Sequence, residues 1–220
     1  MINDRATILA NGPFVDDGRL RARVAKGGCL IGVDGGGVRL LDMGLTPRWV
    51  TGDYDSVSPA QRAALEAAGA RFVETPDQNR VDLDKALSFA IDEAGARDVA
   101  VFGASEGRLD HTAAAMVAVI KHGQRATVQL VDAYGSAQPV YRELTLSGND
   151  LIGRTVSLIA LGTVQDVWFE GVRWPLLGED VGPYGRDATS NEIVSETVSI
   201  RAGAGDLLIY LHHDLKRRPE

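Results

Sequence analysis

Short apolar runs alternate with amphipathic stretches from the start of the chain to about residue 135. The runs Ala6–Ala10, Cys29–Val33, Arg48–Thr51, Arg71–Glu74, Val99–Phe102 and Thr127–Val131 have the length of buried strands. Between them, Pro59–Ala68, Asp82–Ala94 and Leu109–His122 carry helical spacing. In the second of these, Leu83, Ala86, Leu87, Ala90 and Ile91 fall at i, i+3, i+4, i+7 and i+8, the stripe of an amphipathic helix. This alternation predicts a three-layer α/β/α domain with a mostly parallel sheet. After about residue 140 the period changes. Thr155–Leu161, Val164–Phe169, Glu196–Arg201 and Asp206–Leu211 are short β-rich runs separated by Gly, Asn and Asp, which predicts a C-terminal antiparallel β-sandwich. Gly135–Pro139 reads as a linker, so the expected domains are 1–135 and 140–220.

In open α/β sheets ligands bind outside the carboxyl ends of the strands. Those ends are unusually polar and glycine-rich here. The first runs into Asn11-Gly12, the second into Asp34-Gly35-Gly36-Gly37, and the third into Gly52-Asp53-Tyr54-Asp55-Ser56. The fourth continues as Thr75-Pro76-Asp77-Gln78-Asn79-Arg80-Val81-Asp82, and the fifth as Gly103 to His111. On an extended segment residues i and i+2 point the same way, so Asp53 and Asp55 are expected to converge. Two close carboxylates repel, and a site holding them usually holds a cation; hard oxygen donors favour Mg²⁺ or Ca²⁺. The bland reading of the same pentapeptide is a solvated polar turn. Asp34, Asp53, Asp55, Asp82 and Asp110 collected on one sheet edge favour a shared acidic site that uses a metal. Each has its ordinary explanation as well: Asp82 at a helix N-terminus suits the dipole, and Arg108 and Lys85 are either surface charges or phosphate partners.

Composition narrows the field. The 220 residues carry a formal charge of −7 with 45% hydrophobic side chains, which supports a large core and argues against a protein that coats nucleic acid. The single cysteine, Cys29, sits in an apolar run and forms no disulfide framework within the chain, as expected of a cytoplasmic protein. The first residues carry Asp4 and Arg5 and lack a signal-peptide core, and no apolar run reaches the length of a membrane span. There is no Gly-x-x-x-x-Gly-Lys-Ser/Thr loop, no Gly-x-Gly-x-x-Gly and no Cys/His zinc spacing. In the second domain Trp174, Ser190 and Asn191 are either core and turn residues or, near a cleft, a stacking face with a polar pair.

Taken in order, six segments resemble the thiamine pyrophosphokinase (thiamine diphosphokinase) family: Asp34-Gly35-Gly36; Gly52 to Ser56; Pro76 to Asn79 with Asp82; Gly107-Arg108-Leu109-Asp110-His111; Gly171 to Leu176; and Ser190-Asn191-Glu192. The resemblance covers nearly the whole chain. It implies transfer of a pyrophosphoryl group from ATP to the hydroxyl of thiamine, giving thiamine diphosphate and AMP with Mg²⁺. It also implies a homodimer with thiamine held between the catalytic domain of one subunit and the sandwich of the other. By position, Asp53, Asp55 and Asp82 would be metal ligands, and Asp34 would support that site. Gly35, Gln78, Asn79, Arg108, Asp110 and His111 would lie on the ATP side, with Arg108 and Asp110 also catalytic. Trp174 would stack on thiamine, with Ser190 and Asn191 nearby. The chain departs from the family at Tyr54 (usually Phe), Val81 (Thr), Glu106 (Gly) and Ala115 (often Asn). The alternatives are a pyrophosphokinase acting on a hydroxymethylpterin or similar heterocyclic alcohol, a non-catalytic nucleotide or thiamine sensor, and a Mg²⁺-dependent phosphohydrolase.

Overall fold

The computed structural model describes residues 4–75, 77 and 79–215, with the side chains of Asp214 and Leu215 excepted. Gln78 and the basic tail 216–218 lie outside the described residues. The chain forms two compact units, residues 1–133 and 134–220.

In the first unit the strands are β1 (Arg5–Leu9), β2 (Cys29–Val33), β3 (Trp49–Gly52), β4 (Arg71–Glu74), β5 (Asp98–Phe102) and β6 (Thr127–Val131). They pair in parallel in the order β6-β5-β1-β2-β3-β4. Apart from the edge strand β4, where Phe72 and Val73 are half-buried, their apolar side chains are mostly excluded from water, with Ile8, Leu9, Ile31, Val50, Val99 and Val101 each at 0% exposure. That is why they read as continuous hydrophobic runs rather than alternating ones. The helices are α1 (Arg19–Ala25), α2 (Gly35–Asp42), α3 (Pro59–Ala67), α4 (Asp82–Ser88) and α5 (Leu109–Gly123). A capping box of Ser58 and Gln61, with Pro59 in the first turn, starts α3. A π-helical turn, Phe89–Glu93, prolongs α4. Neither α1 nor α2 stands out in the sequence, because α1 has only seven residues and α2 opens on three glycines, which are poor helix formers. Gly36, the second residue of α2, lies hard against β1, where a Cβ would collide with the Leu9 carbonyl oxygen.

In the second unit β7 (Gly135–Val140), β14 (Leu207–Leu215), β9 (Arg154–Ala160) and β12 (Asn191–Glu192) form one antiparallel sheet. The other contains β8 (Glu143–Ser147), β13 (Thr197–Arg201), β10 (Val164–Glu170) and β11 (Leu176–Val181). Leu158, Phe169, Leu176, Ile193 and Ile200 fill the sandwich between them. The expected linker 135–139 is corrected: it is most of strand β7, paired from Gly135 opposite His212 to Val140 opposite Leu207. Gly135 and Ala137 are buried there, and small residues that pack closely look like a turn when only composition is read.

Candidate functional site

Strand order reverses between β1 and β5, because β2 to β4 lie on one side of β1 while β5 and β6 lie on the other. Loops diverge at such a point and leave a crevice. A cavity of about 730 Å³ opens there, and Asp34, Asp53, Asp55, Asp82, Arg108, Asp110 and His111 all line it.

Asp34 follows β2 with φ 48°, ψ −125°, a conformation few side chains adopt. Its own N–H donates to the Thr51 carbonyl at 2.9 Å, and Oδ1 accepts from the Tyr54 N–H at 3.2 Å. Gly52, at φ +133°, leaves room for this carboxylate; a Cβ there would overlap it. Burial, opposed in part by the Tyr54 hydrogen bond and reinforced by Asp82, Asp53 and Asp55, pushes the Asp34 pKa up to about 6.

Asp53 and Asp55 reach the cavity by a different route from the one expected. β3 ends at Gly52, and Tyr54 sits at φ 64°, so the segment is a tight turn rather than an extended strand. The Asp55 N–H donates to Asp53 Oδ1 at 3.3 Å. Ser56 Oγ accepts from the Gly35 N–H at 3.1 Å and from Asn11 Nδ2 at 3.3 Å, fastening this turn to α2 and to the end of β1. The Tyr54 ring packs edge-on against Phe72 at 5.1 Å, and its hydroxyl donates to the Val50 carbonyl at 3.3 Å.

Asp82 opens α4 and is paired with Lys85 at 2.8 Å. The Lys85 side chain is only 7% exposed and also donates to the Thr75 carbonyl at 2.9 Å. Lys85 therefore holds Asp82 and the end of β4. The i, i+3 spacing was visible in the sequence; the burial that makes it a tether was not. Val81, in the cap position of α4, offers no side-chain hydrogen bond where a threonine would.

Arg108 and Asp110 flank the start of α5 and form a two-pronged pair at 3.1 and 2.6 Å. The Arg108 hydrogen bonds hold the Asp110 carboxyl down to about 2. Glu106 lines the cavity and turns one oxygen to the Ala133 N–H at 3.3 Å. Ala115 is buried at its edge. The Gly35 N–H is committed to Ser56, and Asn79, whose N–H donates to Asp77 Oδ1 at 2.9 Å, stands outside the cavity lining.

In the second unit Trp174 is 49% exposed and lines a smaller cavity of about 170 Å³ with Asn191 and Arg186. Asn191 is buried and clamps the Trp174 backbone, accepting its N–H at 3.1 Å and donating to its carbonyl at 2.7 Å. Arg173 lies 5.8 Å from the Trp174 ring and pairs with Glu192 at 3.1 Å. Ser190, at φ 59°, donates its N–H to Ser157 Oγ at 2.9 Å and is outside that cavity lining.

Among the described residues no three Asp, Glu, His or Cys side chains are already gathered as a metal cluster. The carboxylates stand around the cavity instead. Hard oxygen donors, one of them raised by burial and then by its neighbours' charge, suit a hard divalent cation that keeps waters and shares phosphate oxygens. Among the described residues no helix is long and apolar enough to cross a membrane.

A switch-point cavity lined by several carboxylates and an arginine is what a phosphate-handling α/β enzyme presents. Residues 21–131 match the family "Thiamin pyrophosphokinase, catalytic domain" and residues 143–206 match "Thiamin pyrophosphokinase, vitamin B1 binding domain". The chain belongs to the thiamin pyrophosphokinase family. It is 42% identical over 82 residues to a thiamine pyrophosphokinase of Bacillus subtilis (strain 168), a match spanning 37% of this chain and 38% of that protein. The crystal structure of thiamine pyrophosphokinase from Bacillus subtilis matches 96% of this chain and all of its own, with TM-score 0.82 and 25% identity. Thiamin pyrophosphokinase from Geobacillus thermodenitrificans matches with TM-score 0.81 and 25% identity over 96% of this chain and 98% of its own. Thiamin pyrophosphokinase from Candida albicans shares the fold at TM-score 0.82 and 17% identity, over 96% of this chain and 90% of its own.

Proposed function

We propose that the protein transfers the terminal diphosphoryl group of ATP to the hydroxyl of thiamine, forming thiamine diphosphate and AMP. The observation that carries this is the convergence of Asp34, Asp53, Asp55 and Asp82 with Arg108 on one cavity of nucleotide size, in a chain of this family. The thiamine hydroxyl oxygen bonds to the β-phosphorus, the bond from that phosphorus to the α–β bridging oxygen breaks, and AMP leaves with the bond's electrons. The hydroxyl proton passes to a carboxylate of the site or to water. Such a reaction needs positioned, neutralised phosphates more than a covalent nucleophile.

Asp53, Asp55 and Asp82 are the residues that would hold Mg²⁺, which when bound neutralises and orients phosphate oxygens. Arg108 binds the transferring group and Asp110 aims its guanidinium; both line the cavity with largely exposed side chains, open to an arriving triphosphate. Trp174 offers a half-exposed ring for stacking on thiamine, and Asn191 holds it by the backbone. The likeness to the family also favours a homodimer with the site shared between subunits, and an ATP-dependent reaction suits the cytoplasm.

The test is to incubate the purified chain with Mg²⁺-ATP, with and without thiamine, and to quantify products by chromatography. Equal AMP and thiamine diphosphate, appearing only with thiamine, is the expected result. AMP formed only with a hydroxymethylpterin would change the acceptor, and ATP breakdown without any acceptor would point to a hydrolase. Ligand binding with no AMP would point to a sensor.

A further inference from the structure

Away from the cavity lining, α4 and α5 are joined by a polar cluster, centred on the buried pair Asp84 and His122, that the reaction itself does not use. Asp84 lies two residues beyond Asp82, and its side chain is 10% exposed. It accepts from Arg80 Nε at 2.6 Å and from Lys121 Nζ at 2.8 Å, both at Oδ2, and from His122 Nε2 at Oδ1. Arg80 also donates to the Asp84 carbonyl at 3.0 Å. The His122 side chain is 1% exposed. Its other nitrogen, Nδ1, faces the Arg125 guanidinium at 2.7 Å. A guanidinium only donates, so Nδ1 is an acceptor and the proton sits on Nε2, directed at Asp84. Arg125 continues to Asp92 at 2.8 and 3.1 Å. Asp92 lies in the π-helical turn that prolongs α4, and π turns recur where a helix must present a side chain out of its regular phase. Burial alone would raise the Asp84 carboxyl, but the hydrogen bonds from Arg80, Lys121 and His122 outweigh it and hold the group well below the ordinary carboxylate range.

The two helices so joined both start at the cavity. The first turn of α4 supplies Asp82, and the first turn of α5 supplies Asp110 and His111. The 15 residues of α5 make a strut of about 22 Å, with the cluster at its last turn and the cavity at its first. Arg80 belongs to the segment between β4 and α4, so Asp84 holds that segment as well as the helix.

We propose that Asp84, held between Arg80 and His122, is a positioning residue of the site: it fixes where Asp82 stands relative to Asp110 and His111. The inference rests on the functional reading above, which supplies both Asp82 as a metal ligand and the activity that is assayed. A purely structural cluster would protect the fold against heat and leave the cavity's affinities alone.

The test uses the full chain with Arg80→Ala, Arg80→Lys, His122→Ala and His122→Gln. Circular dichroism first shows which variants are folded at 20 °C. Mn²⁺ binding is then measured by electron paramagnetic resonance, and thiamine diphosphate formation by kcat and thiamine KM. Residues that orient metal ligands are worth about 10- to 100-fold in affinity or activity. Arg80→Ala is expected to weaken Mn²⁺ binding about 10-fold and to lower kcat by a similar factor, with thiamine KM unchanged. Arg80→Lys recovers part of both. His122→Gln, whose amide still donates to Asp84, stays near wild type, whereas His122→Ala follows Arg80→Ala. Should His122→Ala fail to fold, the Arg80 pair decides alone. A folded Arg80→Ala with wild-type Mn²⁺ affinity and kcat, and only a lower melting temperature, overturns the proposal. Weakened Mn²⁺ binding in Arg80→Ala, with a wild type that makes no thiamine diphosphate, supports the positioning role and sinks the functional reading alone. A wild type that neither binds Mn²⁺ nor forms product overturns both.

Discussion

Asp34→Asn is the perturbation whose consequences are most sharply defined. Asparagine keeps the side-chain oxygen that accepts the Tyr54 N–H and tolerates the positive φ of this position. It removes a charge that the fold disfavours. The Asp34 carboxyl rises from 3.8 to about 6, first through burial and then through the charges of Asp82, Asp53 and Asp55. At 1.36 kcal/mol per unit, the ionised carboxylate costs the metal-free protein about 3 kcal/mol at pH 8. The residue is 9% exposed, so solvent screening removes little of this, and about 2–3 kcal/mol is a fair expectation. The sign follows from linkage. A raised folded-state pKa means that native protein binds the proton more tightly than unfolded chain. Wild type therefore loses stability as pH rises through the window from 3.8 to about 6. The variant has no such loss. Thermal denaturation without divalent metal should show the variant melting about 5–10 °C higher at pH 8. The gain should shrink to under about 1 kcal/mol near pH 4. Adding Mg²⁺ at pH 8 should stabilise wild type more than the variant, because a ligand stabilises the state it binds. Thiamine diphosphate formation should fall in the stabilised variant, as expected where a site holds strained charge for function. A gain below about 0.5 kcal/mol at pH 8, or one equal at pH 4 and pH 8, would refute the buried, charge-crowded Asp34 on which this rests.

Asp53→Ala or Asp55→Ala should each lower turnover by at least about 10²-fold, and near-normal rates in both would remove them from the metal site. Trp174→Ala should mainly raise the thiamine KM, since stacking acts on ground and transition states alike; a large fall in kcat at constant KM would count against stacking. Val81→Thr should stabilise the protein by about 0.5–1 kcal/mol in chemical denaturation, by supplying the missing cap to α4 from a backbone already at φ −69°, ψ 151°. An unchanged midpoint would mean that the added hydroxyl does not reach the helix N–H groups.

Much of this protein was determined by local patterning. Six strands, five of them buried, and three amphipathic helices announce themselves because water exclusion acts on each residue separately and leaves its period in the sequence. The acids at the strand ends were legible for the same reason: a polar residue following an apolar strand has to leave the sheet. What tertiary structure decided is how those residues meet. Asp53 and Asp55 share a cavity through a left-handed turn at Tyr54 that Gly52 and Ser56 make possible, where strand alternation alone suggested an extended segment. Gly135 and Ala137 form a strand because β14 lies alongside them; their composition says turn. Lys85 becomes a tether, Asn191 a backbone clamp, and Asp84 the junction of two helices only when burial removes water as the competing partner. A side chain's character is written in the sequence, but its partners are chosen by elements tens of residues away, as Asp84 and His122 are, and only the folded chain brings those together.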